Sequence, residues 1–137
     1  MNRIIVFDFD NAGIIADVAS ILEEKQLNIE SMLGFTIKGF GLVFLSVDRH
    51  DEAVFALKEK GISAVTDKVL LLLLEDRPGA LAEIAMRFKD ENISLDAIRI
   101  LKRRKGDPYA LVGITTSEQE RAKLLVQDVA VESQITW

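Results

Sequence analysis

A chain of 137 residues with a net charge of −5 and a mean hydropathy of +0.19 has room for one ordinary domain or two small ones. The acidic balance argues against nucleic acid or an anionic membrane as the main partner, since both reward a basic face. The lack of cysteine excludes disulfides and thiolate chemistry, the single histidine, His50, cannot build a zinc site alone, and the longest purely apolar run, Val69–Leu74, falls far short of the roughly 20 residues of a membrane span.

In chain order, a short apolar strand is expected at 2–9, ending in the turn Asp10-Asn11-Ala12-Gly13. Ile14, Ile15, Val18, Ile21 and Leu22 then recur at helical spacing and predict a helix of about fourteen residues with one face on a core. A strand at 28–37 leads through the glycine-marked turn Lys38-Gly39-Phe40-Gly41 to a strand at 42–48. A second helix turns Val54 and Leu57 inward, and a strand at 61–66 closes the first half. The second half reads the same way. A strand at 68–75 ends in Asp76-Arg77-Pro78-Gly79, and a helix with Leu81, Ile84, Ala85 and Phe88 on its inner face follows. Pro78 suits a first helical turn, where a missing N–H costs nothing. Strands at 93–103 and 109–116 flank the turn Lys105-Gly106-Asp107-Pro108. A helix with Ala122, Leu125 and Val126 inward and a strand at 129–136 complete the chain.

Displacing the sequence by 66 positions lays one half on the other. Asp10 meets Asp76, Gly13 meets Gly79, Ala16 meets Ala82, and Ile15, Val18 and Leu22 meet Leu81, Ile84 and Phe88. The expected fold class is therefore α+β: two ferredoxin-like βαββαβ units, 1–66 and 67–137, with antiparallel sheets and the helices on one face. Leu70–Leu74, Ile4–Phe7 and Leu42–Leu45 do not alternate as strands with one covered face should. A second buried face, and with it a homo-oligomer, is expected. The basic run Lys102–Lys105 reads as a solvated hairpin tip. Asp8 and Asp10 interrupt the first apolar run, so no signal peptide is read and a cytoplasmic location is expected.

Three kinds of chemistry compete for these residues. Ile4 to Asp10 resembles the strand ending in Asp-x-Asp that opens haloacid-dehalogenase-type phosphatases, in which Asp8 would be a magnesium-assisted nucleophile and Asp10 the general acid. Asn11-Ala12 stands where Gly-Thr is required, however, the chain is too short for the parallel sheet, and the second half ends its strand in Leu74-Glu75-Asp76. Arg77 sits where an acylphosphatase-type enzyme binds phosphate, but the first half has Asn11 there. Both halves keep Asp-x-x-Gly before a helix, whose start offers unpaired N–H groups suited to a carboxylate. The structural alternative is that Asp10 and Asp76 cap the helices and glycine permits the turn. No catalytic residue, metal site or cofactor is assigned.

The second half, Asp76-Arg77-Pro78-Gly79-Ala80-Leu81-Ala82-Glu83-Ile84 with Glu91-Asn92-Ile93-Ser94-Leu95, resembles the ACT domain; the first half is similar through Asp10–Val18 and Lys25–Ile29. The resemblance implies a stand-alone tandem ACT protein that binds an amino acid and regulates, rather than an enzyme. It implies units paired side by side, with ligand at their interface. The turns Asp10, Asn11, Ala12, Gly13 and Asp76, Arg77, Pro78, Gly79 would then face the segments Asn28, Ile29, Glu30, Ser31 and Ser94, Leu95, Asp96. Turn N–H groups would take the ligand carboxylate, and Asp76, Glu30, Asp96 or the Asn28 amide oxygen its ammonium group. An alternative it implies is a regulatory subunit docked on a separate metabolic enzyme, like the small subunit of acetolactate synthase.

Overall fold

Aliphatic runs become strands and the apolar stripes become helices in the expected order. In the computed structural model, which describes residues 3–135, the first unit runs β1 (Ile4–Phe9), α1 (Ile14–Glu24), β2 (Ile29–Ile37), β3 (Phe40–Val47), α2 (His50–Glu59) and β4 (Ala64–Thr66). The second runs β5 (Leu70–Glu75), α3 (Ala80–Asp90), β6 (Ala97–Lys102), β7 (Tyr109–Thr115) and α4 (Gln119–Leu125), then a 3₁₀ turn at Glu132–Gln134. The chain divides into two compact units between Asp67 and Lys68.

Local chemistry sets the joints. Lys38 and Gly39, at φ 51° and 86°, form a two-residue hairpin loop between the paired Ile37 and Phe40, the left-handed pair that matches strand twist. Three helices end alike. After α1 the Gln26 amide donates to the Glu23 carbonyl and the Leu27 amide to that of Leu22, with Gln26 left-handed at φ 56°. Gly61 and Asn92 play that part after α2 and α3, and in each case the next residue, Leu27, Ile62 or Ile93, turns back toward the core.

The first sheet has the order β2-β3-β1-β4 with every pair antiparallel. Ile4 and Val6 of β1, Val43, Leu45 and Val47 of β3, and Ile14, Val18, Leu22, Ala53 and Leu57 of the helices share one core. Both helices therefore cover one face, the ferredoxin-like arrangement. The second sheet, β5-β7-β6, has the matching order, with Leu72, Leu74, Val112 and Ile114 against Ile84, Phe88 and Ala122. The non-alternating strands are buried on their other face as well: Ile5, Phe7, Leu42, Phe44, Leu71, Leu73 and Leu111 are all buried.

Several expectations need correction. The helices α1 and α3 span 11 residues each rather than about fourteen. Ile15 is 46% exposed and lies along Gly34 of β2, where its Cδ1 occupies the space a Cβ would take. Ala85 is exposed, because Ala80, Ile84 and Phe88, with Leu81 packed beside them, form the inner line of α3. The strand expected at 129–136 is reduced to one bridge, Leu72 to Ala130, held by hydrogen bonds from the Leu73 amide to the Val129 carbonyl and from the Val131 amide to that of Leu71. The polar run Glu132-Ser133-Gln134 then leaves the edge as a 3₁₀ turn. Residues 2 and 136 of the expected strands lie outside the described residues.

Candidate functional site

The two turns share a sequence frame but not a geometry. In the first, Gly13 has ordinary helical angles, φ −90° and ψ −8°, and its amide donates to Asn11 Oδ1 at 3.0 Å. Asn11, not Asp10, thus folds the turn. The Asp10 amide donates to the Gly39 carbonyl at 2.9 Å, while its carboxylate is exposed and has no partner among the described residues. In the second turn Gly79 is left-handed, φ 88°, a conformation that favours glycine. Asp76 Oδ2 accepts from Arg103 Nε at 3.0 Å. Neither aspartate caps its helix, since α1 and α3 have no side-chain cap bond.

Arg77 closes over the start of α3. Its Nη2 donates to both Glu83 oxygens, at 3.0 and 2.9 Å, and its Nε to Glu75 Oε2 at 3.3 Å. The hydrogen bond to Glu83, with the charge of Glu83 and Glu75 added, raises the guanidinium above its ordinary value. Pro78 and Ala12 are exposed between these anchors. The acidic pair considered for phosphatase chemistry is local scaffolding in part: Asp8 Oδ1 accepts the Phe9 amide at 2.8 Å.

The partner segments lie elsewhere in each unit. The Asn28 amide donates to Asp48 Oδ1 at 3.1 Å and the Asp48 amide returns to the Asn28 carbonyl at 3.1 Å, joining the entrance of β2 to the exit of β3. Ile29 pairs with Val47 and Ser31 with Ser46, so Glu30 is the extra residue of a β-bulge; its side chain is exposed and has no partner among the described residues. In the second unit the Ser94 amide donates to Glu118 Oε2 at 3.1 Å, Ser94 Oγ to Asp96 Oδ1 at 2.9 Å, and Thr116 Oγ1 to the Ser94 carbonyl at 2.6 Å. The Ser94 amide, then Arg121, holds the Glu118 carboxyl below its ordinary value. Leu95 packs partly against the core.

Turn and segment are not brought together within a unit. The Asp10 and Asp76 amides bond to the hairpin carbonyls of Gly39 and Pro108, at one end of each sheet. Asn28 and Ser94 sit at the far end of β2 and β6, a strand length of about 20–30 Å away.

Sequence reasoning missed two groups. Arg103 lies on the exposed hairpin tip, as its sequence suggests, but it also anchors Asp76, and Arg104 Nε donates to Asp107 Oδ2 at 3.0 Å. The alternation of basic residues with a Gly-Asp turn hid which arginine returns to the aspartate. Thr116 and Glu118, which bond Ser94, and Arg121, which bonds the Glu91 carbonyl, were also missed, because each contact spans more than twenty residues of sequence.

Residues 68–125 match the family model of the ACT domain. No curated protein matches the chain. Among solved structures, the chain is similar to a protein from Bacteroides thetaiotaomicron, with 18% identity, a TM-score of 0.46, and coverage of 96% of this chain and 93% of that one. It is similar to the ligand-free regulatory subunit of aspartate kinase from Thermus thermophilus at 17% identity and TM-score 0.42, covering 93% and 91%. A third similar structure is the small subunit of acetolactate synthase from Thermotoga maritima, at 13% identity and TM-score 0.40, covering 94% and 88%.

Proposed function

We propose that this chain is a regulatory protein that binds a free amino acid through its strand-to-helix turns and changes its assembly or docking in response. The observation that carries the reading is the ACT match over residues 68–125, which contains both the Asp76–Gly79 turn and the Ser94–Asp96 segment. The first turns of α1 and α3 support it physically, since the leading amides of a helix lack intrahelical acceptors and suit a carboxylate. Glu30 and Asp10 support it too, as exposed carboxylates without partners among the described residues, suited to an ammonium group. Because turn and segment lie at opposite ends of a unit, a site that uses both takes them from two units, paired side by side. The proposal includes self-association of the chain and no catalytic step.

A thermal-shift screen of dialysed protein against the twenty amino acids tests it. A ligand at 100 times its dissociation constant adds about 2.7 kcal/mol, enough to raise the midpoint by several degrees. The expected result is a shift for one or a few amino acids, diminished in Gly13→Val, a change its backbone angles permit. A flat response from folded protein refutes the reading.

A second reading, docking on a separate enzyme chain, is favoured by one observation. Phe55 on α2 and Leu124 on α4, each two residues beyond the buried Ala53 and Ala122, are 68% and 72% exposed. Both units thus offer an apolar side chain at the same place on their second helix. Loss of binding to an enzyme partner in Phe55→Glu and Leu124→Glu, with amino-acid binding retained, would distinguish this reading from the first.

A further inference from the structure

An open concavity of about 810 Å³ lies where β7 ends and α4 begins, walled by the second unit alone; Lys68, Asp96, Thr115, Ser117, Glu118 and Arg121 are among its lining. The volume is within the range of small-molecule sites. Many of its charged groups are already engaged. Arg121 Nη1 donates to Glu118 Oε1 at 2.9 Å and its Nη2 to the Glu91 carbonyl at 2.9 Å. The other Glu118 oxygen takes the Ser94 amide, and Glu120 faces Lys123 at 3.6 Å. Asp96 Oδ1 takes the Ser94 hydroxyl. Once these pairs are set aside, the lining holds one ammonium group without a partner among the described residues, that of Lys68, with Asp96 Oδ2 and the hydroxyls of Thr115 and Ser117. One cation, one anionic oxygen and two neutral donor–acceptors are the complement of a small zwitterion.

We propose that this concavity binds a free α-amino acid within a single unit. Lys68 takes the α-carboxylate, Asp96 the α-ammonium group, and the Thr115 and Ser117 hydroxyls favour a ligand with a polar side chain. The proposal rests on the amino-acid-binding reading above but places a ligand away from the turns and without a second unit. The site is particular to the second half of the chain. Counting back from the buried Ala53 and Ala122, Ser46, Val47 and Asp48 stand where Thr115, Thr116 and Ser117 do. An apolar side chain and a carboxylate thus replace two of the hydroxyls.

Isothermal titration of the full chain with each of the twenty L-amino acids tests the assignment, repeated on Lys68→Ala, Asp96→Asn, Thr115→Val, Gly13→Val and Gly79→Ala. Lys68 is exposed and its carbonyl, which accepts from Gln119, survives the substitution, so the fold should tolerate the change. The expected result is two binding events: one weakened about tenfold or more in Lys68→Ala, less in Thr115→Val, and retained in both glycine variants, the other weakened in Gly13→Val. A single binding event lost in Lys68→Ala and retained in both glycine variants would also uphold it. Affinity lost in the glycine variants but unchanged in Lys68→Ala and Thr115→Val would overturn the concavity and leave the turn-based reading standing, whereas Asp96→Asn weakens binding under either. No heat of binding with any amino acid would remove both.

Discussion

Gly13 and Gly79 occupy the same place in the repeated turn, and alanine at each separates the reasons for a glycine there. An added Cβ at Gly13 would lie 3.5 Å from Asn11 Oδ1 and 3.8 Å from Asp17 Oδ2; at Gly79 it would lie 3.8 Å from Arg77 Nη1. All are ordinary contacts, so steric crowding drops out and the backbone decides. At Gly79, φ 88° imposes a left-handed cost of roughly 1–2 kcal/mol on any side chain. At Gly13, φ −90° imposes none, and alanine reduces the entropy of the unfolded chain, a gain of about 0.4–1 kcal/mol. The variants should therefore move in opposite directions and differ by roughly 2 kcal/mol. Two units need not unfold together, so one melting curve is an ambiguous readout. Native-state hydrogen exchange is better, with amides of β1 and β3 reporting the first unit and those of β5 and β7 the second. Gly79→Ala should speed exchange in the second unit only, and Gly13→Ala should leave the first unchanged or slower. Equal destabilisation by both would refute the backbone argument.

Further outcomes follow from the same structure. Gln26→Gly should stabilise the first unit by about 1 kcal/mol in hydrogen exchange of the β1 and β3 amides, because Gln26 holds a left-handed angle of 56° at the end of α1. Ser46→Ala should be neutral or stabilising by about 1 kcal/mol by the same measurement, since the Ser46 hydroxyl is buried without a hydrogen-bond partner among the described residues. Arg87 binds Asp128 through two bonds of 2.7 and 2.9 Å and holds its carboxyl below the ordinary 3.8. The ionised form is thus favoured by folding: its contribution is complete above pH 3.8 and fades as pH falls through the lowered value. Asp128 is largely exposed, so that contribution is about 0.5 kcal/mol, and Asp128→Asn should flatten the acid limb of a stability–pH curve by that amount.

Much of this was legible in residue order because local rules and tertiary packing agree. Lys38-Gly39 announces a hairpin and becomes one, and Ile14, Val18 and Leu22 announce a buried face and form it. The failures have physical causes. Ile15 belongs to the apolar stripe by spacing, but Gly34 opens room for it beside β2, a vacancy no helix pattern reports. Val129-Ala130-Val131 looks like a strand, yet Arg87 fixes Asp128 just before it and polar residues follow, so only one bridge forms. The candidate site was legible as a pair of turns, but not their inequality. Asn11 folds the first turn through a partner two residues on, whereas Arg77 and Arg103 lock the second through a partner from the following helix and through another hairpin.

The bulge at Glu30 changes how its strand must be counted. Ile29 and Met32 are three positions apart, a spacing that would send them to opposite faces of a regular strand, yet both pack against the first core. The second unit makes the same adjustment at the other end of its matching strand, where Leu101 is the extra residue between Ile100 and Lys102. A two-residue ruler laid along either strand therefore reads true on one side of the bulge and inverted on the other. The stretch before Glu30 takes its phase from the Asn28–Asp48 link, and the stretch after it takes its phase from the Lys38–Gly39 hairpin. One strand thus carries two registers, and Glu30 is the residue at which one passes into the other.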